Sequence, residues 1–214
     1  MIPDRFERLA AARLYLVCGE LTGDRLDAAL LGGVQLVQLR MKGAAPAQIL
    51  QVARRFAKLC ARREVPLILN DHPELVEAAG ADGVHLGQDD QPLAQARGSL
   101  GSERIIGLST HDADQIDAAH RAGADYIGVG PVHTTPTKPG RPAVGTDLVA
   151  AAAKRAQVPF FAIGGVDADN VGAVLAAGAR RVAVVRAVAD AEDPERAARE
   201  LRAALETTVG VGAA

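Results

Sequence analysis

The sequence predicts an α/β chain folded as a single (β/α)8 TIM barrel, and three observations carry that expectation. Short apolar, β-type runs alternate about eight times with alanine-rich stretches along 214 residues. Alternation of that kind implies parallel strands joined by helical crossovers. Hydrophobic residues make up 49% of the chain, enough for one substantial core at single-domain length. Polar clusters follow the C-terminal ends of the strand-like runs, where barrels keep their functional loops, while the opposite ends carry ordinary turns. A doubly wound open sheet is the competing architecture. It more often has fewer strands and a glycine fingerprint after the first one, which Val17-Cys18-Gly19-Glu20 does not supply.

The strand candidates, in order, are 14–17, 34–40, 66–70, 83–86, 104–108, 126–129, 160–163 and 181–185. Helix candidates lie between and after them at 24–31, 46–62, 73–79, 91–97, 112–122, 146–156, 168–177 and 194–205. Punctuation supports these boundaries. Ala-Gly-Ala-Asp occurs at 79–82 and 122–125, and Ala-Gly-Ala-Arg at 177–180, each between a helix and the next strand. The glycine is the expected helix C-cap, and the polar residue opens the strand. No linker or second domain interrupts the pattern, so 1–214 is expected to be one barrel domain with 209–214 as a frayed tail.

Composition narrows the function classes. Lys and Arg total 24 against 26 Asp and Glu, with no tryptophan, two tyrosines and four phenylalanines. A nucleic-acid surface shows clustered positive charge or stacking aromatics; neither is visible, and the expected partner is a small molecule. No apolar run approaches the roughly 20 residues of a membrane span, and Met1-Ile2-Pro3-Asp4-Arg5-Phe6 lacks a signal-peptide core. A cytoplasmic protein is the expectation. Cys18 and Cys60 are too few and too far apart for a disulfide framework or a zinc site, and are expected to be small buried side chains.

Several loops carry the chemistry. Gly128-Val129-Gly130-Pro131-Val132-His133-Thr134-Thr135-Pro136-Thr137-Lys138 ends a strand in hydroxyls, glycine amides and a cation, which suits a phosphorylated ligand. Gln38, Arg40 and Lys42 share parity, so on one extended strand they face the same way, above Val34 and Leu36. Two adjacent inward cations call for an anion such as pyrophosphate, with Arg40 as a planar fork and Lys42 as a point charge. Asn70 and Asp71 end the third strand, and Asp89 and Asp90 follow the fourth. Carboxylates from neighbouring strand ends suit Mg²⁺, which takes few protein ligands and keeps water and phosphate oxygens. The competing reading makes Asp71, Asp89 and Asp90 helix caps before Pro73 and Pro92. Ser109 and Thr110 divide evenly between a helix cap and a hydroxyl facing phosphate. His85 weighs toward a structural role, and His111 and His133 stay open. Gly164-Gly165 and Arg186 stand at the ends of strands seven and eight, where many barrels bind phosphate.

Together these stretches resemble the thiamine-phosphate synthase (thiamine-phosphate pyrophosphorylase) family. The matching segments are Gln38-Leu39-Arg40-Met41-Lys42, Leu69-Asn70-Asp71, Gly83-Val84-His85-Leu86-Gly87-Gln88-Asp89-Asp90, Gly107-Leu108-Ser109, Gly128-Val129-Gly130-Pro131, Thr135-Pro136-Thr137-Lys138 and Ala162-Ile163-Gly164-Gly165. They run in family order along nearly the whole chain. The resemblance implies a Mg²⁺-dependent transferase of thiamine biosynthesis that joins 4-amino-2-methyl-5-(diphosphooxymethyl)pyrimidine to a thiazole phosphate, carboxylated or not, releasing pyrophosphate. It implies pyrimidine-diphosphate contacts at Gln38, Leu39, Arg40, Met41, Lys42, Asn70, Ser109 and Lys138, with Arg40, Lys42 and Lys138 in the catalytic role. It places magnesium ligands at Asp71 and Asp90, and thiazole-phosphate contacts at Thr135, Pro136, Thr137, Gly165, Val185 and Arg186. It admits a homo-oligomer. Met41 stands where an acidic residue is common, and Arg186 where a serine is common. No nucleophile and base pair is evident, and none is needed if the pyrimidine stabilises a cation once pyrophosphate leaves. The rivals are a thiazole tautomerase-like isomerase, which needs a proton-transfer residue but no pyrophosphate cluster, and a non-catalytic barrel that binds thiamine phosphate.

Overall fold

Eight apolar segments are extended in a computed structural model, which describes residues 4–135 and 142–207. They are β1 (Leu14–Cys18), β2 (Leu36–Leu39), β3 (Leu67–Asn70), β4 (Gly83–Leu86), β5 (Ile105–Thr110), β6 (Tyr126–Val129), β7 (Phe160–Ile163) and β8 (Val182–Val184). Each pairs in parallel with the next, and β8 pairs with β1, so the sheet closes as a barrel. The (β/α)8 expectation is therefore met. Around it run α1 (Arg5–Ala11), α2 (Gly23–Leu31), α3 (Pro46–Arg62), a 3-10 turn (Pro73–Leu75) leading into α4 (Val76–Ala79), α5 (Leu93–Leu100), α6 (Ala113–Arg121), α7 (Gly145–Arg155), α8 (Val171–Ala176), α9 (Arg186–Ala189) and α10 (Pro194–Thr207). Among the described residues no helix is long and apolar enough to cross a membrane.

Strand parity sorts the core into two bodies. Val37, Leu39, Leu69, Val84, Ile106, Ile127, Ala162 and Val184 point outward and pack with Leu26, Phe56, Ile116, Val149, Val174 and Leu201 of the helices. Tyr15, Val17, Leu36, Ile68, Ile105, Tyr126, Phe161 and Ala183 point inward and fill the barrel. Tyr15, Tyr126 and Phe161 meet edge to face, with ring centroids 5.1 to 5.8 Å apart, the arrangement favoured by the ring quadrupoles. Tyr126 fits because Gly107 is its register partner on β5. A Cβ at Gly107 would stand 2.1 Å from Tyr126 Cζ.

The Ala-Gly-Ala turns behave as the sequence predicts. Gly80, Gly123 and Gly178 adopt φ of 69°, 80° and 103° at the ends of α4, α6 and α8, a region that an L side chain enters only with strain. Other boundaries move. The second strand stops at Leu39, short of the expected 34–40, and Val34 packs in the outer core. The fifth strand runs on through Ser109 and Thr110, because Asp112 caps α6 by accepting from the Gln115 amide at 2.8 Å. The eighth helix starts late because the Asp167 carboxylate first holds the amides of Asp169 and Asn170 in a turn. The sequence reading omits α1 and α9. Asp4 and Glu7 close a capping box over α1, and Leu9 and Ala12 seal the inner core at the end opposite the candidate site. The expected tail 209–214 lies outside the described residues.

Candidate active site

All eight strands deliver residues to one cavity of about 480 Å³ at their C-terminal ends. Tyr15, Val17, Phe161 and Ile163 form an apolar floor. Gln38, Arg40, Asn70, His85, Ser109 and His111 supply polar groups from β2 through β5. Thr134, Thr135, Gly164, Gly165, Val185 and Arg186 supply the side beneath the loops after β6, β7 and β8. A mostly apolar pocket with a few placed polar groups suits a small molecule.

Gln38, Leu39, Arg40, Met41 and Lys42 divide by direction. Gln38 is 3% exposed and lines the cavity with Arg40, whose amide still pairs with the Cys18 carbonyl at 2.8 Å. The Leu39 and Met41 side chains pack into the barrel–helix layer. Parity fails at Lys42, since alternation holds only while the chain stays extended, and β2 has ended. Lys42 is exposed and, like Asp71 and Asp90, is not among the residues that line the cavity; its Nζ meets Asp71 Oδ2 at 2.5 Å.

Asp71 follows Asn70 with φ 66°, a left-handed conformation held by its amide bond to the His85 carbonyl at 2.9 Å. Neither aspartate caps a helix: His72 precedes the 3-10 turn and Pro92 precedes α5, neither with a side-chain cap. Instead Asp90 Oδ2 accepts from the Gly87 amide at 2.6 Å and shares a hydrogen bond with Asp71. Burial raises the Asp71 carboxyl, with the Asp90 charge adding and Lys42 opposing. At Asp90 burial works upward too, but the Asp71 hydrogen bond, the Gly87 amide and Lys42 together hold the carboxyl below its ordinary value. The two carboxyls are thus pushed in opposite directions, as expected of acidic groups set close together. No group of three or more His, Cys, Asp or Glu side chains that could hold a metal occurs among the described residues. Two carboxylates with a neutralising cation match a Mg²⁺ site that takes its remaining ligands from water and phosphate.

A polar network missed by the sequence reading crosses the cavity floor. Gln38 Nε2 donates to the Tyr15 hydroxyl, which lies 2.8 Å from the Tyr126 hydroxyl. Tyr126 meets His85 Nδ1 at 3.0 Å, and His85 Nε2 meets Ser109 Oγ at 2.9 Å. His85 and Ser109 are each 8% exposed and both face the cavity. Burial pushes both tyrosine hydroxyls well above their ordinary range, so both keep their protons. The readable signal was that both tyrosines of the chain occupy inward positions on strands. At the edge of the same floor the Gln88 amide donates to the Ser109 carbonyl at 2.5 Å, and His111 Nδ1 bonds the Gly130 carbonyl.

The loops after β6 and β7 touch closely. Gly164 and Gly165 have φ of 106° and 65°, and a Cβ on them would reach 2.5 Å from Pro131 and 2.8 Å from His133. Such a turn bares backbone amides to a ligand. Val185 and Arg186 line the cavity beside it, Arg186 opening the short α9. Thr135 lies on the cavity wall. Pro136, Thr137 and Lys138 lie outside the described residues.

A family model described as thiamine monophosphate synthase matches residues 14–188. A thiamine-phosphate synthase of Nostoc punctiforme is 48% identical over 192 residues, covering 89% of this chain and 55% of that protein. One of Mycolicibacterium smegmatis is 48% identical over 215 residues, covering 93% of this chain and 94% of that protein. The chain thus spans about half the length of some relatives and nearly all of others. The solved structure of a thiamine phosphate pyrophosphorylase from Pyrococcus furiosus superposes with a TM-score of 0.86 at 29% identity, covering 94% of this chain and 98% of that one.

Proposed function

Since this chain belongs to the thiamine monophosphate synthase family, we propose that it is itself a thiamine-phosphate synthase. It condenses 4-amino-2-methyl-5-(diphosphooxymethyl)pyrimidine with a thiazole phosphate, giving thiamine phosphate and pyrophosphate. One observation carries this assignment. The cavity joins an arginine, Arg40, to a phosphate-type glycine turn, Gly164-Gly165, and Lys42, two residues on from Arg40, meets the Asp71–Asp90 carboxylate pair. An isomerase acting on a lone thiazole phosphate has no use for that second cluster.

In the mechanism the pyrimidine ring lies on the apolar floor, held by Gln38, Asn70 and Ser109. Its diphosphate points toward Arg40 and Lys42, and Lys138 is assigned to the same group. The bond from the ring methylene to the diphosphate oxygen breaks first. Its electron pair leaves with pyrophosphate, and the amino-substituted ring stabilises the methylene cation. The thiazole nitrogen then attacks that carbon. Thr135, Pro136, Thr137, Gly165, Val185 and Arg186 hold the thiazole phosphate in line. The protein positions two substrates and neutralises departing charge, and no general base is required. Asp71 and Asp90 would hold Mg²⁺, which when bound supplies further charge neutralisation to the pyrophosphate oxygens. Placement in the cytoplasm and association into a homo-oligomer belong to the same proposal.

The test is a coupled assay for pyrophosphate with both substrates and Mg²⁺. Release that depends on the thiazole phosphate and matches thiamine phosphate formed mole for mole is expected. Intact pyrimidine diphosphate after prolonged incubation would refute the assignment in favour of an isomerase or a binding protein.

A further inference from the structure

The turn after β7 is held from behind by a side chain that does not itself line the cavity. Asn170 stands at the N-cap of α8, where an asparagine ordinarily accepts from an amide of its own helix. Here it makes no such bond. Its side chain reaches back along the loop instead. Nδ2 donates to the Gly165 carbonyl at 2.7 Å, and Oδ1 accepts from the Asp167 amide at 3.1 Å. The Asp167 carboxylate in turn accepts from the amides of Asp169 and Asn170, both at 3.1 Å. The two side chains thus clasp 165–170 into one unit. Only a carboxamide offers the donor and the acceptor that the Asn170 half of the clasp needs.

The consequence lies on the cavity side of the turn. Gly165 and Val166 line the cavity, and their amides donate to no acceptor among the described residues. The carbonyl and amide of one peptide point opposite ways, so fixing the Gly165 carbonyl on Asn170 turns the Val166 amide away from it. Gly165 holds φ of 65°, and successive amides around a left-handed residue make an anion-binding concavity. We propose that Asn170 is a positioning residue for the phosphate of the thiazole substrate. It fixes the Gly165–Val166 peptide so that both amides stay presented to that phosphate, and it does so without touching the substrate. With two glycines in succession, an unclasped turn would sample many conformations and bind phosphate from only a fraction of them. This inference rests on the proposed synthase function for the identity of the phosphate ester, but the clasp and the bare amides are properties of the free protein.

Inorganic phosphate titrated into ¹⁵N-labelled protein tests the clasp without turnover. Saturable shifts of the Gly165 and Val166 amide signals are expected. Asn170→Ser is the informative variant, because serine is itself a good N-cap and keeps the start of α8, while its hydroxyl is one atom too short to span the clasp. Phosphate should bind it about tenfold more weakly, the worth of roughly one hydrogen bond. In turnover, KM for the thiazole phosphate should rise about tenfold, with kcat and KM for the pyrimidine diphosphate unchanged. Asn170→Ala should show the same split. Shifts that weaken in Asn170→Ser uphold the clasp even if the coupled assay finds no synthase. Amide signals that ignore phosphate, parental affinity in Asn170→Ser, or a fall in kcat with both KM values raised would overturn the proposal and leave Asn170 as no more than the start of a helix.

Discussion

Arg186 is exposed at the cavity rim, follows Val185 at the end of β8 and pairs with no carboxylate among the described residues. A charged donor left uncommitted beside a glycine turn is well placed for a phosphate. A charge-assisted contact is worth roughly 1.5–3 kcal/mol. Arg186→Ala should therefore weaken the thiazole phosphate about tenfold or more, with little effect on the pyrimidine diphosphate. Measuring both KM values decides it, since an arginine merely turned to solvent would move neither. The cavity was legible in part at this scale. Gln38, Arg40, Asn70, Ser109, Gly165 and Arg186 all line the cavity, because parity and strand ends are properties of sequence. Lys42 was only half legible. Its pairing with Asp71 depends on where β2 stops, which parity cannot say. Tyr15 and Tyr126 were not legible as polar groups, since an aromatic on an apolar strand reads as core, and here each is both.

Among elements, the pairing of β5 with β6 shows how one missing side chain sets a strand's neighbours. Gly107 and Tyr126 are register partners, and any Cβ at Gly107 would overlap the Tyr126 ring. Gly98 offers the opposite case. It sits inside α5, lacks the positive φ, and nothing stands within 4 Å of the Cβ it would gain. Gly107→Ala should destabilise the protein by about 1–3 kcal/mol or more through overpacking, while Gly98→Ala should stabilise it by roughly 0.5–1 kcal/mol through helix propensity. Urea unfolding of the two variants checks both signs together. If Gly107→Ala proves neutral, Tyr126 has room to move, and the floor network loses its rigid frame. The same scale explains what the sequence hid. The helix α3 runs Pro46–Arg62 as expected, since long apolar periodicity defines it. The seven-residue α1 is too short for periodicity, and only its Asp4 and Glu7 capping pair marks it.

For the molecule as a whole, each repeat adds its strand on the same side of the last, so crossovers of one hand keep every helix on one face and the sheet closes on itself. Closure also gathers eight strand ends into one mouth, and this is why scattered loops become a single cavity. Asp71 and Asp90 then provide only two carboxylates, and one of them is already engaged by Lys42. A divalent metal alone should bind such a pair weakly. Pyrophosphate alone should meet Arg40 and Lys42 with Lys42 still engaged by Asp71. Together the two ligands should complete each other's coordination and release Lys42 from Asp71 to the phosphate. Ligand present at about 100 times its Kd stabilises a fold by roughly 2.7 kcal/mol, which for a domain of this size corresponds to roughly 5–10 °C in Tm. Mg²⁺ with pyrophosphate should thus raise Tm by about that much, and by clearly more than the sum of the shifts that each gives alone. EDTA should remove the synergy and abolish turnover, and added Mg²⁺ should restore both. Additive shifts, or full activity in chelator, would show that Asp71 and Asp90 hold no metal and serve only to anchor Lys42.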